Sequence, residues 1–202
     1  MSQNNIDIYD DEADNLSASY DALQTPQVLG EFCKLMESRK NKPNLHALDI
    51  GCGSGRDAKW MAGQGMKVTA VDGSKNMLKN ARKNHADKNI EYLHDLAPTF
   101  NKLVARGEKF DVILMSAFIF HFGKKDRQTI YDNLLKLAAK NCLIYMTVRR
   151  PIPGEKRDMY HVTASEIETF ARENGFDVDI SEPKTDKLKR KNVGWTSYAL
   201  QK

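Results

Sequence analysis

The feature that most restricts this chain is an apolar run that passes directly into glycines: residues 45–50 are followed by Gly51-Cys52-Gly53-Ser54-Gly55-Arg56. The run reads as a strand. Residues 56–64, with Ala58, Met61 and Ala62 at helical spacing and Gly65 as a left-handed stop, read as a helix. A glycine turn between a strand and a helix lets a ligand approach backbone N–H groups without meeting a side chain.

The same alternation continues along the chain. Residues 67–71, 90–93, 110–115 and 142–148 read as strands two to five. Ser74 opens a helix with Met77, Leu78 and Ala81 on its apolar stripe, and residues 126–139 form a longer one. A further helix spans 165–173, with Thr163 as N-cap and Glu166 completing a capping box. Residues 176–180 and 195–200 then read as a closing hairpin joined by a basic, proline-containing stretch, and 26–36 as the clearer of one or two helices ahead of the sheet. The expected fold is α/β, Rossmann-like and doubly wound, its sheet seven-stranded and mainly parallel with one reversed strand near the C-terminus.

A chain of 202 residues with 41% hydrophobic and 29% charged residues is sized and composed for a single globular domain. Cys33, Cys52 and Cys142 are too few and too scattered for a disulfide framework, and no Cys/His spacing suggests a metal. The polar, acidic start and the lack of a long apolar run lead to the expectation of a cytoplasmic protein with no membrane partner. The net charge of +4 is partly concentrated in Lys184, Lys187, Lys189, Arg190 and Lys191. That cluster reads as a solvated loop in preference to a nucleic-acid patch.

The glycine spacing identifies the kind of ligand. Dinucleotide folds use G-x-G-x-x-G, whereas here the third glycine comes one residue early and Arg56 stands in the place of the helix-packing glycine. Asp49, just before the turn, would repel a pyrophosphate and attract a cation. Asp72 ends strand two, 21 residues after Gly51, which suits a carboxylate that bonds ribose hydroxyls. A ribose joined to a cation, without pyrophosphate, describes S-adenosylmethionine (SAM).

Asp49-Ile50-Gly51-Cys52-Gly53-Ser54-Gly55 resembles the D-x-G-x-G-x-G loop of class I SAM-dependent methyltransferases. Val71-Asp72-Gly73-Ser74 with Met77-Leu78 resembles the second motif of that family, and Asp95-Leu96 the third. The resemblance implies SAM as cofactor, held by Asp49, Gly51, Cys52, Gly53, Ser54, Arg56, Asp72, Gly73, Met77, Asp95, Leu96 and Ser116. Taken singly, Asp72 and Asp95 read equally well as helix caps, and Cys52 as a small filler. The resemblance also divides the chain into an N-terminal helical lid segment (1–40), with Tyr20 as its leading candidate, and a SAM-binding domain (41–202).

The acceptor side is less marked. His121, after strand four, has the chemistry of a general base and equally that of a loop histidine bonded to backbone. The loop after strand five supplies Arg149, Arg157 and Tyr160, which could grip an anionic acceptor or stand as solvated charge. Neither the Pro-Pro-aromatic motif of amino-methylating nucleic-acid enzymes nor a Pro-Cys dipeptide is present. The expectation is methyl transfer to an O, N or S atom of a small-molecule substrate, an anionic one among the candidates, by a monomer or homodimer without a metal. An RNA methyltransferase and a non-catalytic SAM-binding regulatory partner are the rival readings.

Overall fold

The computed structural model describes residues 1–39, 42, 44–188, 190 and 192–202. Lys189 and Lys191 of the basic run, and the expected boundary between residues 40 and 41, lie outside the described residues.

Strands buried on both faces have no polar side to alternate, and this governs the centre of the sheet. β1 (His46–Ile50), β2 (Lys67–Asp72) and β4 (Phe110–Met115) are buried along most of their length, and β5 (Ala138–Arg149) is buried from Cys142 onward. β3 (Ile90–His94) completes the parallel set at one edge. Alternate residues feed two cores. Leu48, Ile50, Ile113, Met115, Ile144 and Met146 pack on one face beneath α7 (Asn101–Ala105), α8 (Lys124–Leu137) and α9 (Ala164–Glu173). Ala47, Val68, Ala70, Val112, Leu114 and Tyr145 pack on the other beneath α4 (Gly30–Glu37) and α5 (Arg56–Gly63).

The strand order is β3-β2-β1-β4-β5-β8-β6, with β6 (Asp177–Ile180) and β8 (Gly194–Gln201) forming the expected C-terminal hairpin. β8 runs antiparallel to both β5 and β6 and is the reversed strand. The sheet holds eight strands because β7 (Lys184–Thr185) adds a two-residue pairing to β8. Pro183, which has no N–H to donate, stands between β6 and β7 where one edge strand would otherwise continue.

Three local expectations need correction. The region before the sheet forms four helices: α1 (Gln3–Asp11), α2 (Ala13–Asp21), α3 (Thr25–Val28) and α4. The expected 26–36 helix breaks at Leu29, whose φ of −119° is not helical and whose side chain is buried in the core. Thr163 does cap α9 by accepting from the N–H of Glu166. Glu166 does not complete the box: its carboxylate accepts two 2.6 Å hydrogen bonds from Arg127 and a third from Tyr131.

α1 and α2 lie along α6 (Lys75–Asn84) through a polar seam. The Asp10 carboxylate accepts from the Ser74 hydroxyl and the Asn76 N–H. Asp14 accepts from Asn80, and the Ser17 hydroxyl bonds Met77 Sδ. At the far end Asp21 lies 3.1 Å from His85 Nε2.

Candidate functional site

Strand order reverses between β1 and β4, so the crevice beyond their carboxyl ends is where ligands enter folds of this kind. A cavity of about 190 Å³ opens there. Gly51, Cys52, Gly53, Ser54 and Arg56 form one wall and Ser116, Ala117 and Phe118, from the turn after β4, another. Gly51 has φ +72°, and a Cβ there would lie 2.4 Å from the Phe118 ring, so only glycine lets the two walls meet. The second wall is itself held in an unusual conformation: Ala117 has φ +57°, and its N–H donates to the Thr147 hydroxyl at 2.9 Å.

Asp72 also lines this cavity. Its Oδ2 accepts from the Gly53 N–H at 2.9 Å and its Oδ1 from the Ser74 N–H at 2.8 Å, so one carboxylate ties the glycine turn to the start of α6. Burial pushes its pKa upward. Asp49 lies outside the cavity wall, 1% exposed, and its Oδ2 has no hydrogen-bond partner among the described residues. Burial, then the neighbouring Asp57, hold its pKa well above the carboxylate range. Burial likewise raises the Cys52 thiol, which leaves it an inert wall residue.

The structure does not bring all the expected residues to the cavity. Gly73, Met77, Asp95, Leu96 and Tyr160 lie outside its wall. Both Asp95 oxygens accept backbone N–H groups, from Leu96 at 2.9 Å and Leu103 at 2.8 Å, which is the capping alternative. Met77 packs beneath Gly53, and Leu96 and Ile6 cover Gly73. Tyr160 is 44% exposed and packs near Gly123.

Tyr20 does reach the wall, and its ring lies 3.7 Å from the position of a Cβ on Gly53. Arg56 bonds the Tyr20 carbonyl and chelates Asp57, which also accepts from Thr25. These bonds fasten α2 and α3 to the start of α5.

In the same cavity, His121 ends a short 3-10 turn and is 3% exposed. Burial lowers its pKa to about 4, so the ring is neutral near pH 7. Nε2 lies 3.1 Å from the Tyr9 hydroxyl, which accepts from Arg157 Nη1 at 3.1 Å. Nδ1 lies 3.3 Å from the Asp158 carbonyl and 3.4 Å from Asn5 Nδ2, and Asn5 fixes that carbonyl with a 2.9 Å bond of its own. Tyr9, His121 and Arg157 all line the cavity.

The sequence put Tyr20 forward for the lid and did not single out Tyr9, Asn5 or Asp10. The signal available was the spacing of Asp10, Asp14, Ser17 and Asp21, which places one polar stripe along the N-terminal helices.

A mainly parallel sheet with one reversed C-terminal strand, carrying a bare glycine turn between two acids at the switch point, defines the class I SAM-dependent methyltransferase fold. Residues 47–141 match the family model described as "Methyltransferase domain". The chain is 37% identical over 100 residues to a ubiquinone biosynthesis O-methyltransferase of Roseobacter denitrificans, covering 48% of this chain and 39% of that protein. A mitochondrial protein of the same name from Arabidopsis thaliana is 39% identical over 95 residues, or 28% of its length. The chain thus spans about two fifths or less of the curated relatives cited here.

Among solved structures, magnesium protoporphyrin IX methyltransferase from Synechocystis with bound S-adenosylhomocysteine (SAH) superposes with TM-score 0.67 at 18% identity, over 87% of this chain and 83% of that one. A DhpI–SAH complex superposes with TM-score 0.64 at 16% identity over 97% and 95%. The likeness is one of fold.

The cofactor of this family is SAM, and the residues present fit it. Gly51 and Gly53 line the cavity with no side chain of their own, the Asp72 carboxylate lines it too, and Asp49 Oδ2, buried just before the turn, has no hydrogen-bond partner among the described residues. No group of three or more His, Cys, Asp or Glu able to hold a metal occurs among the described residues, and no described helix is long and apolar enough to cross a membrane.

Proposed function

We propose that this chain transfers the methyl group of SAM to a nucleophilic O, N or S atom of a small molecule. The observation that carries this reading is that one cavity is lined both by the glycine turn with Asp72 and by the hydrogen-bonded pair Tyr9–His121. SAM, when bound, supplies an electrophilic methyl on a sulfonium and departs as SAH.

Asp72 would bind the ribose hydroxyls, and the cationic end of the cofactor would offset the burial that raises the Asp49 pKa, favouring its charged form. Gly51, Gly53 and the Ser116–Phe118 turn set its position. The Tyr9 hydroxyl accepts from Arg157 and, with the His121 ring proton on Nδ1, donates to Nε2 and keeps one lone pair for the acceptor's proton. As the acceptor atom forms its bond to carbon, its proton passes to Tyr9 Oη while the tyrosine proton moves to His121 Nε2. Such transfer contributes about 10²–10⁴-fold, and alignment of the two reactants supplies the larger part, about 7–11 kcal/mol.

The N-terminal helices act as the lid. α1 brings Tyr9 into the cavity, and Ser2 and Asn5 tie it to Asp158 with bonds of 2.6–2.9 Å, so closure excludes water and assembles the proton acceptor together.

The test is a metabolite screen with purified protein and SAM, read by mass spectrometry for a gain of one methylene. The wild-type protein should produce such a gain and Asp72→Ala should not. A folded protein that fails to bind SAH in calorimetry would refute the reading.

A further inference from the structure

Apart from Asp72 and the Arg56–Asp57 pair at the glycine turn, the cavity carries more positive charge than the neighbouring carboxylates neutralise. Arg149, Arg157, Lys184, Lys187 and Arg190 line it. Three carboxylates meet these five cations: Glu155 with Arg149 and, at 3.8 Å, Arg157; Glu31 with Lys184; and Asp186 with Arg190. Two positive charges are left over among the described residues. Lys187 forms no ion pair among them, and Arg157 has only the loose 3.8 Å approach to a carboxylate already bonded to Arg149.

Arg157 is also held in place rather than free to wander. Its guanidinium stacks 5.4 Å from the Tyr9 ring centroid and donates one hydrogen bond, to the Tyr9 hydroxyl. A guanidinium has five N–H donors in a planar fork, so the remaining donors suit two oxygens of one anion. Arg149 and Arg190 stack in the same manner on Phe120 and Trp195, at 5.5 and 5.9 Å, but both spend their forks on Glu155 and Asp186. Phe120, Met159 and Trp195 supply apolar surface in the same wall.

We propose that the methyl acceptor carries an oxyanion, carboxylate or phosphate, bound by the Arg157 fork with Lys187 alongside, and an apolar body resting on Phe120, Met159 and Trp195. This deepens the methyl-transfer reading and rests on it. Because Tyr9 bonds both Arg157 and His121, the anchor and the proton acceptor share one residue. An anionic handle seated on Arg157 therefore fixes where the nucleophilic atom lies relative to the Tyr9 hydroxyl.

The test uses the intact protein with and without saturating SAH, titrated calorimetrically with benzoate, phenyl phosphate and neutral benzamide at fixed ionic strength. One or both anions should bind at least about tenfold more tightly than benzamide. The tighter of the two identifies carboxylate or phosphate as the handle. Arg157→Gln should lose that preference while SAH affinity is kept, and Arg157→Lys should retain part of it, with circular dichroism verifying the fold of each. Equal binding of benzamide and the anions, or no binding of either anion, overturns the proposal. So does an Arg157→Gln protein that loses SAH affinity, because Arg157 would then hold the cofactor's own carboxylate. Absence of SAH binding by the wild type refutes methyl transfer instead, and the titrations without SAH still report on Arg157.

Discussion

The hydroxyl of Tyr9 lies 3.1 Å from Nε2 of His121, a residue 112 positions later in the chain. The histidine that the sequence nominates as a base therefore has its Nε2 paired with a tyrosine delivered by the first helix. Tyr9→Phe keeps the ring and removes the proton path. In an acceptor assay its kcat should fall by about 10²–10⁴-fold with SAH affinity unchanged. The Tyr9→Phe/His121→Gln double variant should be no slower than the worse single one, because the two act as one unit. Additive losses would separate them.

Acid stability should report the buried imidazole. The folded-state pKa of His121, about 4, is below its unfolded value of 6.5. The unfolded chain thus binds a proton first as pH falls, and stability drops through the window from 6.5 to about 4. The full loss is about 3 kcal/mol at the low end of that window. Asp49 and Asp72, whose pKa values are raised by burial, act in the opposite sense. The clean measurement is therefore the difference in urea unfolding free energy between wild type and His121→Gln across that range. A flat difference would rule out the burial argument.

Asp72→Asn should weaken SAH binding by about tenfold to a hundredfold, the cost of losing hydrogen bonds to a charged acceptor, about 1.5–3 kcal/mol. Calorimetry with SAH measures it. An unchanged affinity would leave Asp72 as only the tie between Gly53 and Ser74.

Gly51→Ala places a methyl 2.4 Å from Phe118 in a left-handed backbone conformation. The expected destabilisation is about 1–3 kcal/mol from overpacking, with further cost from backbone strain. Adding Phe118→Leu should restore part of it. Thermal unfolding of both variants reads the two contributions apart, since the second substitution relieves the contact and not the backbone angle.

Asp10→Ala removes the acceptor for Ser74 Oγ and the Asn76 N–H, and should cost about 1 kcal/mol, as loss of a helix cap does. Limited proteolysis should then cut faster near Glu12, between α1 and α2, and saturating SAH should slow the cut.

The cofactor half was legible because its signals are local. Strand, turn and helix from residue 45 to 64 depend on periodicity and on glycines at fixed positions, and Ser74 caps α6 as read. The same locality misled at Glu166, where position alone suggested a capping box but Arg127, 39 residues away, offered a stronger partner. Pro26–Met36 read as one helix because propensity does not register that Leu29 must turn into the core. The acceptor side was least legible. Asn5 and Tyr9 meet His121, Arg157 and Asp158 only after the N-terminal helix folds across the sheet, over separations of 112 to 153 residues. Tyr160 was chosen on residue type alone, and its backbone N–H instead serves the Phe120 carbonyl at 2.7 Å.

Arg149 and Trp195 are register partners across the β5–β8 pairing. The matched family segment ends at residue 141, so both lie beyond it, as do Arg157, Met159 and Lys187. In the proposed division of labour, the two ends of the gene would be free to drift toward new acceptors while the middle stays under constant selection for one cofactor. Grafting residues 149–202 of this chain onto a sister enzyme, together with α1 and the Phe120–His121 turn, would then carry over acceptor preference and leave the nucleoside site as it was.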